Sequence, residues 1–325
     1  MSIGGPVGFN PTNRDGLQGV SVSAGGGTKA ILAALGANAG IAVAKFVGFL
    51  FTGSSSMLAE SVHSLADTSN QGLLLLGQRS SRRRATREHP FGFGRERYFY
   101  SFVVALMLFT LGSAFALYEG IHKVQHPEPL TAPLVAVVIL VVAIVLEGYS
   151  FRTAMSESGK IKGDVSWWGF IRQSRTPELP IVLLEDTGAL LGLVFALAGV
   201  GLSELTGDPV WDGIGTIMIG SLLGVIAIIL IVEMKSLLIG EGATDKQLET
   251  ICAELTGGEV ERVIHIRTQY LGPDELLVAA KLALAPNLEL AQVARAIDEA
   301  EARVRAKVPV ARLIYLEPDL DRQTV

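Results

Sequence analysis

Residues 54–79 read SSSMLAESVHSLADTSNQGLLLLGQR, and this stretch decides the fold because it combines ionisable residues with the length needed to cross a bilayer. Four polar residues within it follow one another at spacings of three and four, so on an α-helix they form one stripe. This polar stripe consists of Glu60, His63, Asp67 and Asn70. Ionisable groups at membrane depth cost roughly 2.5 to 3.5 kcal/mol each, so we expect the stripe to face a polar cavity.

The chemistry of the stripe favours a divalent transition metal, because an imidazole nitrogen and a carboxylate oxygen one turn apart are common ligands of such ions. His63 and Asp67 have this spacing. Two other interpretations stay open on spacing alone. The polar residues could cap a helix N-terminus, or they could form a buried polar pair that holds helices together.

The composition indicates a polytopic membrane protein. The chain has 325 residues, of which 49% are hydrophobic and 18% charged, and its apolar residues lie in long blocks. Its mean hydropathy is +0.42. The net charge of −5 says little about partners, and nucleic-acid binding has no support beyond one arginine-rich loop. A single cysteine, Cys252, excludes an internal disulfide and a thiolate metal cluster.

Six segments are predicted to span the membrane, namely residues 30–51, 54–79, 98–117, 131–149, 179–202 and 211–232. Basic residues concentrate in the loop after the second segment and in the loop after the fourth. The positive-inside rule assigns both loops to the cytoplasm, which places both termini there as well. The sequence therefore predicts an integral protein of the cell membrane with cytoplasmic ends.

The chain is predicted to divide into a flexible tail (1–27), an all-α six-helix transmembrane bundle (28–240), a small cytoplasmic domain (243–318) and a short tail (319–325). The small domain has soluble-type amphipathicity. Its predicted elements are a helix over 244–256, strands over 260–270 and 275–284, a helix over 288–308 and a strand over 312–317. This order is an α+β, ferredoxin-like αββαβ arrangement, which can hold its own core if it dimerises.

A second polar pair, Glu185 and Asp186, interrupts the fifth apolar segment in LPIVLLEDTGALLG (179–192). At 1.5 Å per residue, Asp67 lies roughly 15 Å from the outer face and Asp186 roughly 10 Å from the inner face. In a core of about 30 Å, the two polar turns lie within about one helical turn of each other. Carboxylates from two helices at a common depth indicate a shared site.

Several separated motifs occur in an order that resembles the cation diffusion facilitator family. They are HSLAD (63–67), HPFGFGRERYF (89–99), LLEDTGALLG (183–192) and GDPVWDGIG (207–215). The resemblance covers nearly the whole chain after the tail. It is strongest to the branch of the mitochondrial zinc exporters of animals, which also reads LLED where most members read HxxxD. It implies a homodimeric exporter, not an enzyme, that exchanges a divalent metal for protons at a site between the second and fifth helices.

The resemblance also implies which residues bind the metal. His63 and Asp67 match the ligand positions of the second helix, and Asp186 matches the second ligand position of the fifth. The first ligand position of that helix is Val182, which cannot bind metal. Glu185 is the predicted fourth ligand, although it lies about 100° around the helix from Asp186. Either the helix is rotated or distorted, or Glu185 carries a proton or pairs with a basic group.

Other metal positions of the family are depleted in this sequence. A usual pair of loop histidines reads His89 and Phe93, which favours a structural role for His89. The positions that bind regulatory zinc in the small domain read His265, Lys281, Tyr315 and Glu317. A zinc cluster there is not expected, and the domain is predicted to serve dimerisation. Asp208 and Asp212 are predicted to be helix caps at the outer surface.

The predicted function is export of Zn²⁺ from the cytoplasm in exchange for protons, with no cofactor. His63 is the natural coupling group, because imidazole must lose its proton to bind metal. A donor set of one imidazole and several carboxylates also allows Mn²⁺ or Fe²⁺. A metal sensor or scaffold that does not transport is the alternative that Val182 leaves open. An intramembrane metallohydrolase is disfavoured because the sequence lacks a HExxH helix.

Overall fold

The computed structural model describes residues 39–319, apart from the side chains of residues 154, 157, 160 and 161. The predicted N-terminal tail, the first part of the first predicted span and nearly all of the predicted C-terminal tail lie outside the described residues. The described chain is mostly helical and ends in a small three-stranded sheet domain.

The helical part contains six long helices and one short helix within residues 39–239. They are α1 (Ala39–Thr52), α2 (Ser55–Ser81), α3 (Glu96–Gln125), α4 (Pro133–Lys162), α5 (Trp167–Gln173), α6 (Glu178–Thr206) and α7 (Val210–Ile239). Helix α3 contains a π-helical segment, Leu108–Ala114, which adds one residue to the local turn. Most of these helices extend several residues beyond the predicted apolar segments.

Four of the helices are long and apolar enough to cross a membrane. They are Glu96–Gln125, Pro133–Thr153, Glu178–Thr206 and Val210–Ile239. The described part of α1 is a shorter apolar helix, and α2 has 27 residues but carries the polar stripe. Four of the six predicted spans therefore correspond to helices that are long and apolar enough to cross a membrane. The count of six spans stays a prediction.

A buried carboxylate fixes the start of α2. Asp212 in the first turn of α7 is fully buried, and its two oxygens accept hydrogen bonds from the hydroxyl of Ser54 and the backbone N–H of Ser55, both at 2.8 Å. Asp212 therefore caps α2, whereas the sequence predicted a cap at the outer surface. Asp208 accepts a hydrogen bond from the backbone N–H of Val210 at 3.0 Å, but the N-cap residue of α7 is Pro209, so Asp208 lies one residue before the cap position.

Helices α6 and α7 approach each other closely through glycines. A methyl group added at Gly199 would lie 3.0 Å from the carbonyl oxygen of Trp211, and one added at Gly215 would lie 2.9 Å from that of Phe195. The neighbouring atoms are backbone atoms that cannot rotate away. Small residues at this contact let the two helix backbones touch, as is common between membrane helices.

The small domain has the predicted order αββαβ. It comprises α8 (Asp245–Leu255), β1 (Val260–Gly272), β2 (Glu275–Leu284), α9 (Leu290–Lys307) and β3 (Leu313–Asp319). The sheet order is β1-β2-β3, with β1 and β2 antiparallel and β2 and β3 parallel. Thr244 and Gln247 form a capping box that begins α8. Apolar residues of both helices and all three strands form one core.

An arginine connects the helical part to the small domain. The Arg97 guanidinium donates two hydrogen bonds to the carboxylate of Glu178 in the first turn of α6, at 2.6 and 3.0 Å. It donates a third to Asp274 in the β1–β2 turn at 2.8 Å. Arg175 forms an ion pair with Glu241 nearby. We call these contacts of Arg97 the Arg97 junction.

Candidate metal site

The polar stripe of α2 faces the interior of the bundle. Glu60, His63 and Asn70 are fully buried, whereas Leu65 and Leu76 on other sides of the helix are exposed. The Nε2 atom of His63 lies 3.4 Å from an oxygen of Asp67. This burial pattern shows that the polar stripe points into the bundle.

Asparagine Asn70 brings the stripe against the acidic pair of α6. Its side-chain amide donates a hydrogen bond to Glu185 Oε1 at 2.8 Å. Residues 178–206 form an unbroken α-helix, so Glu185 reaches α2 without a local distortion of α6. The partner that the structure shows for Glu185 is thus an amide and not a basic group, and its roles as metal ligand or proton carrier stay predictions.

A small cavity of about 20 Å³ lies between α2, α4 and α6. Since a cavity of about 10–15 Å³ holds one water, this space admits a single small ligand. Three of the predicted metal ligands line it, namely Asp67, Glu185 and Asp186. The other lining residues are Ser64, Gln71, Glu147, Ser150 and Val182. The structure thus brings together the carboxylates that the sequence assigned to two helices.

Helix α4 contributes two lining residues that sequence reasoning missed. Glu147 and Ser150 lie one turn apart, and the Ser150 hydroxyl donates to Asp186 Oδ2 at 3.3 Å. The signal was present, because Glu147 is an acidic residue inside the predicted span 131–149. Glu147 is a single acidic residue in an apolar segment, so it does not belong to a periodic polar pattern that would have indicated a site.

His63 adjoins this cavity without lining it. Its side chain is 1% exposed, and among the described residues neither ring nitrogen has a hydrogen-bond partner. A methyl group added at Gly112, in the π-helical segment of α3, would lie 3.9 Å from His63 Nδ1. One oxygen of Asp67 is also buried without a hydrogen-bond partner in the described chain. Buried polar atoms left unpaired in this way are suited to a ligand.

Within residues 39–319, no three His, Cys, Asp or Glu side chains are close enough together to hold one metal ion. The predicted donors His63, Asp67, Glu185 and Asp186 are therefore neighbours around a cavity and not a closed coordination shell. Whether all four bind one ion stays a prediction.

A buried ion pair that the sequence did not reveal lies one turn from His63. Lys45 of α1 places its ammonium 3.1 Å from Glu60 Oε2 and 2.8 Å from the hydroxyl of Ser64. Both charged side chains are fully buried. Lys45 occurs inside the predicted span 30–51, where a lone basic residue was the available signal. Glu60 thus has an ionic partner of its own and is set apart from the cavity carboxylates.

The depleted family positions have local partners in the structure. The ring of His89 packs against Phe93, with 4.6 Å between centroids. In the small domain, Lys281 forms ion pairs with Glu317 at 3.1 Å and with Asp319 at 3.4 Å, and the hydrogen bonds of these two carboxylates raise the pKa of Lys281. His265 accepts a hydrogen bond from Arg267 at 3.1 Å.

Comparison with known proteins gives a family for the chain. Residues 31–239 match the family model described as the cation efflux transmembrane domain. The proton-coupled zinc antiporter SLC30A9, mitochondrial, of Mus musculus is 35% identical over 249 residues, which are 76% of this chain and 44% of that protein. The metal tolerance protein C4 of Arabidopsis thaliana is 30% identical over 78% of this chain and 56% of its own length.

A solved structure of the MamM C-terminal domain matches 23% of this chain and 96% of its own, with 17% identity and a TM-score of 0.22. The chain spans about half the length of the curated relatives described above. The match to the family model covers most of the helical part, including the four clear spans. The chain is an integral membrane protein that belongs to the cation efflux, or cation diffusion facilitator, family, in the branch of the SLC30A9 proteins.

Proposed function

We propose that this protein exports a divalent transition metal, first of all Zn²⁺, from the cytoplasm in exchange for protons. The observation that carries the proposal is the cavity inside the bundle, where carboxylates of α2 and α6 meet. Such groups are costly at membrane depth and mark ion pathways when they face a cavity. The relatives support the choice of ion and of exchange, because their names describe proton-coupled zinc antiport and metal tolerance.

The proposed site uses His63, Asp67 and Asp186, with Glu185 as a further donor. His63 and Asp67 are already neighbours at 3.4 Å. A metal ion displaces protons from imidazole and carboxyl groups when it binds, and protons displace the ion in turn. Exchange requires the site to open to one side at a time, and a small movement of one group of helices against another meets that requirement.

The proposed organisation follows from the same reasoning. Residues 28–240 would form a bundle of six spans with both ends in the cytoplasm, and residues 243–318 a cytoplasmic domain through which two copies dimerise. At the positions that bind regulatory zinc in the family, Lys281 pairs with Glu317 and lies 3.4 Å from Asp319. The arginine-rich loop beside the Arg97 junction supports the cytoplasmic placement.

Export of Mn²⁺ is the second candidate, and one observation favours it. The cavity is lined by oxygen donors, and Val182 stands where a nitrogen ligand is common in the family. Carboxylate and hydroxyl oxygens suit harder cations such as Mn²⁺ better than a site with two imidazoles would.

Reconstituted vesicles that contain a pH-sensitive dye test the proposal. Zinc added outside should enter while protons leave, so the lumen should become more alkaline, and uptake should weaken as the external pH falls because the donors become protonated. Asp67→Ala should reduce the flux to that of protein-free vesicles. Glu204→Gln, which removes an exposed carboxylate at the far end of α6, is the matched control and should transport normally. Wild-type flux no greater than that of protein-free vesicles would contradict the proposal.

A further inference from the structure

The face of helix α6 that lines the cavity has a valine at one position, where no side-chain donor for a metal is available. Val182 and Asp186 are four residues apart on the regular helix, and both line the cavity. The side chain at position 182 therefore points to the place where a donor would act, but its isopropyl group cannot bind a cation. The neighbouring Glu185 has one oxygen engaged by the Asn70 amide at 2.8 Å. The α6 face alone thus supplies fewer free donors than a four-coordinate ion requires.

Helix α4 supplies a carboxylate to the same space. Glu147 lines the cavity together with Ser150, which lies one turn along α4 and hydrogen-bonds to Asp186 at 3.3 Å. That contact fixes the face of α4 that meets the cavity, and Glu147 belongs to this face. Within residues 39–319, Glu147 has no ion-pair partner and receives no side-chain hydrogen bond.

The charges around the cavity do not balance within the described chain. Asp67, Glu147, Glu185 and Asp186 line it, and no lysine or arginine does. The nearby buried cation, Lys45, contacts the cavity-lining Ser64 at 2.8 Å, but its charge is paired with that of Glu60 at 3.1 Å. A carboxylate that served as structural glue would be expected to have a polar partner, as Glu185 and Glu60 do. Glu147 instead faces a space the size of one small ligand.

We infer that Glu147 is a direct ligand of the transported cation and takes the place that Val182 leaves open, so that the site is built by three helices, α2, α4 and α6. This inference rests on the proposed function and makes it more specific. With Glu147 added, the donors that line the cavity are carboxylate oxygens, so the site should hold Mn²⁺ relatively better than a site with a second imidazole would.

Metal binding by the purified, full-length protein tests the inference without relying on transport. The probes are Zn²⁺ and Mn²⁺, titrated calorimetrically into wild type, Glu147→Gln, Glu147→Asp, Asp186→Ala and the control Glu204→Gln. Glu147→Gln should weaken binding of both ions at least about 10-fold, since loss of even an outer partner costs 10- to 100-fold. Glu147→Asp keeps the negative charge on a shorter side chain, so its affinity should lie between those of wild type and Glu147→Gln. The affinity of Glu204→Gln should equal that of wild type.

Thermal unfolding of the same proteins separates a ligand from a structural residue. Without metal, Glu147→Gln should unfold at the wild-type temperature or above it, because one like charge is removed from the cavity. The rise in unfolding temperature that zinc produces in wild type should be lost. A metal-free Glu147→Gln protein that unfolds well below wild type and still binds zinc normally would overturn the inference.

The two proposals fail in different ways. If Asp186→Ala loses binding and Glu147→Gln keeps wild-type affinity, the role of Glu147 is wrong and the proposed function stands. If neither substitution changes the affinity for either ion, the cavity is not the metal site, and both the inference and the proposed site are wrong.

Discussion

Helix α6 carries acidic residues into two very different surroundings. At the Arg97 junction, Glu178 accepts two hydrogen bonds from one guanidinium at 2.6 and 3.0 Å. Two turns further on, Asp186 accepts a hydrogen bond from a serine hydroxyl at 3.3 Å and Glu185 accepts one from an amide at 2.8 Å, and no basic residue of the described ranges lines the cavity. The comparison shows that the pairing of a carboxylate, more than its type or its helix, separates a structural acid from one available to a ligand.

The buried pair of Lys45 and Glu60 extends the comparison into the interior of the bundle. It lies one turn from His63, yet both charges are neutralised as at the junction. Depth in the helical part therefore does not by itself mark a functional acid. The carboxylates that line the cavity differ from Glu60 in that none of them forms an ion pair with a lysine or arginine in the described part of the chain.

The largest effect is expected at Asp186. Asp186→Ala should abolish high-affinity zinc binding and zinc-driven proton flux, because it removes a donor that lines the cavity opposite Asp67. Glu185→Gln should bind zinc but transport it more slowly if Glu185 carries protons, and should lose binding if Glu185 is a ligand. Calorimetry and vesicle flux measured side by side distinguish these outcomes. Near-wild-type transport in both variants would show that the carboxylates of the cavity are no more important for transport than the paired carboxylate at the Arg97 junction.

The next largest effect concerns the buried pair. Lys45→Met should lower the free energy of unfolding by about 3–5 kcal/mol, because it leaves Glu60 buried without its partner. Adding Glu60→Gln should restore most of that loss, since neither charge then remains. Unfolding in mild detergent, followed by circular dichroism, measures both changes. Equal destabilisation by the single and the double substitution would show that the charge of Glu60 is not the cause.

The smallest effects belong to the Arg97 junction. Arg97→Gln should lower the free energy of unfolding by about 1–3 kcal/mol, because it breaks charge-assisted hydrogen bonds to Glu178. Asp274→Asn should change it by less than about 1 kcal/mol, since the side chain of Asp274 is 75% exposed. Neither substitution should change zinc affinity. A loss of zinc affinity in Arg97→Gln as large as in Asp186→Ala would show that the two regions are not separate in function.

The sequence predicted what depends on periodicity. The polar stripe of α2 repeats every three or four residues, and the alternation and capping signals of the small domain predicted its αββαβ order, with β2 placed at its observed bounds. Each of these patterns involves many residues, so each prediction is supported by several positions of the sequence.

Features that depend on a single residue were missed. Glu147 and Lys45 are each a single charged residue in an apolar segment. The packing of the helices is needed to show that Glu147 lines a cavity and that Lys45 forms an ion pair. The sequence also could not show which neighbour Glu185 would meet, because the packing of α6 against α2 decides this and the local spacing does not. The role of Asp212 was misjudged for the same reason, since its partners lie more than 150 residues away.

The contact at Gly199 and Gly215 sets a mechanical constraint on the bundle. Because backbone atoms touch backbone atoms there, a change of side-chain rotamers cannot accommodate a sliding movement of α6 against α7. We therefore expect the two helices to move together at this contact. A movement that admits an ion would therefore have to keep α6 and α7 in register at this contact.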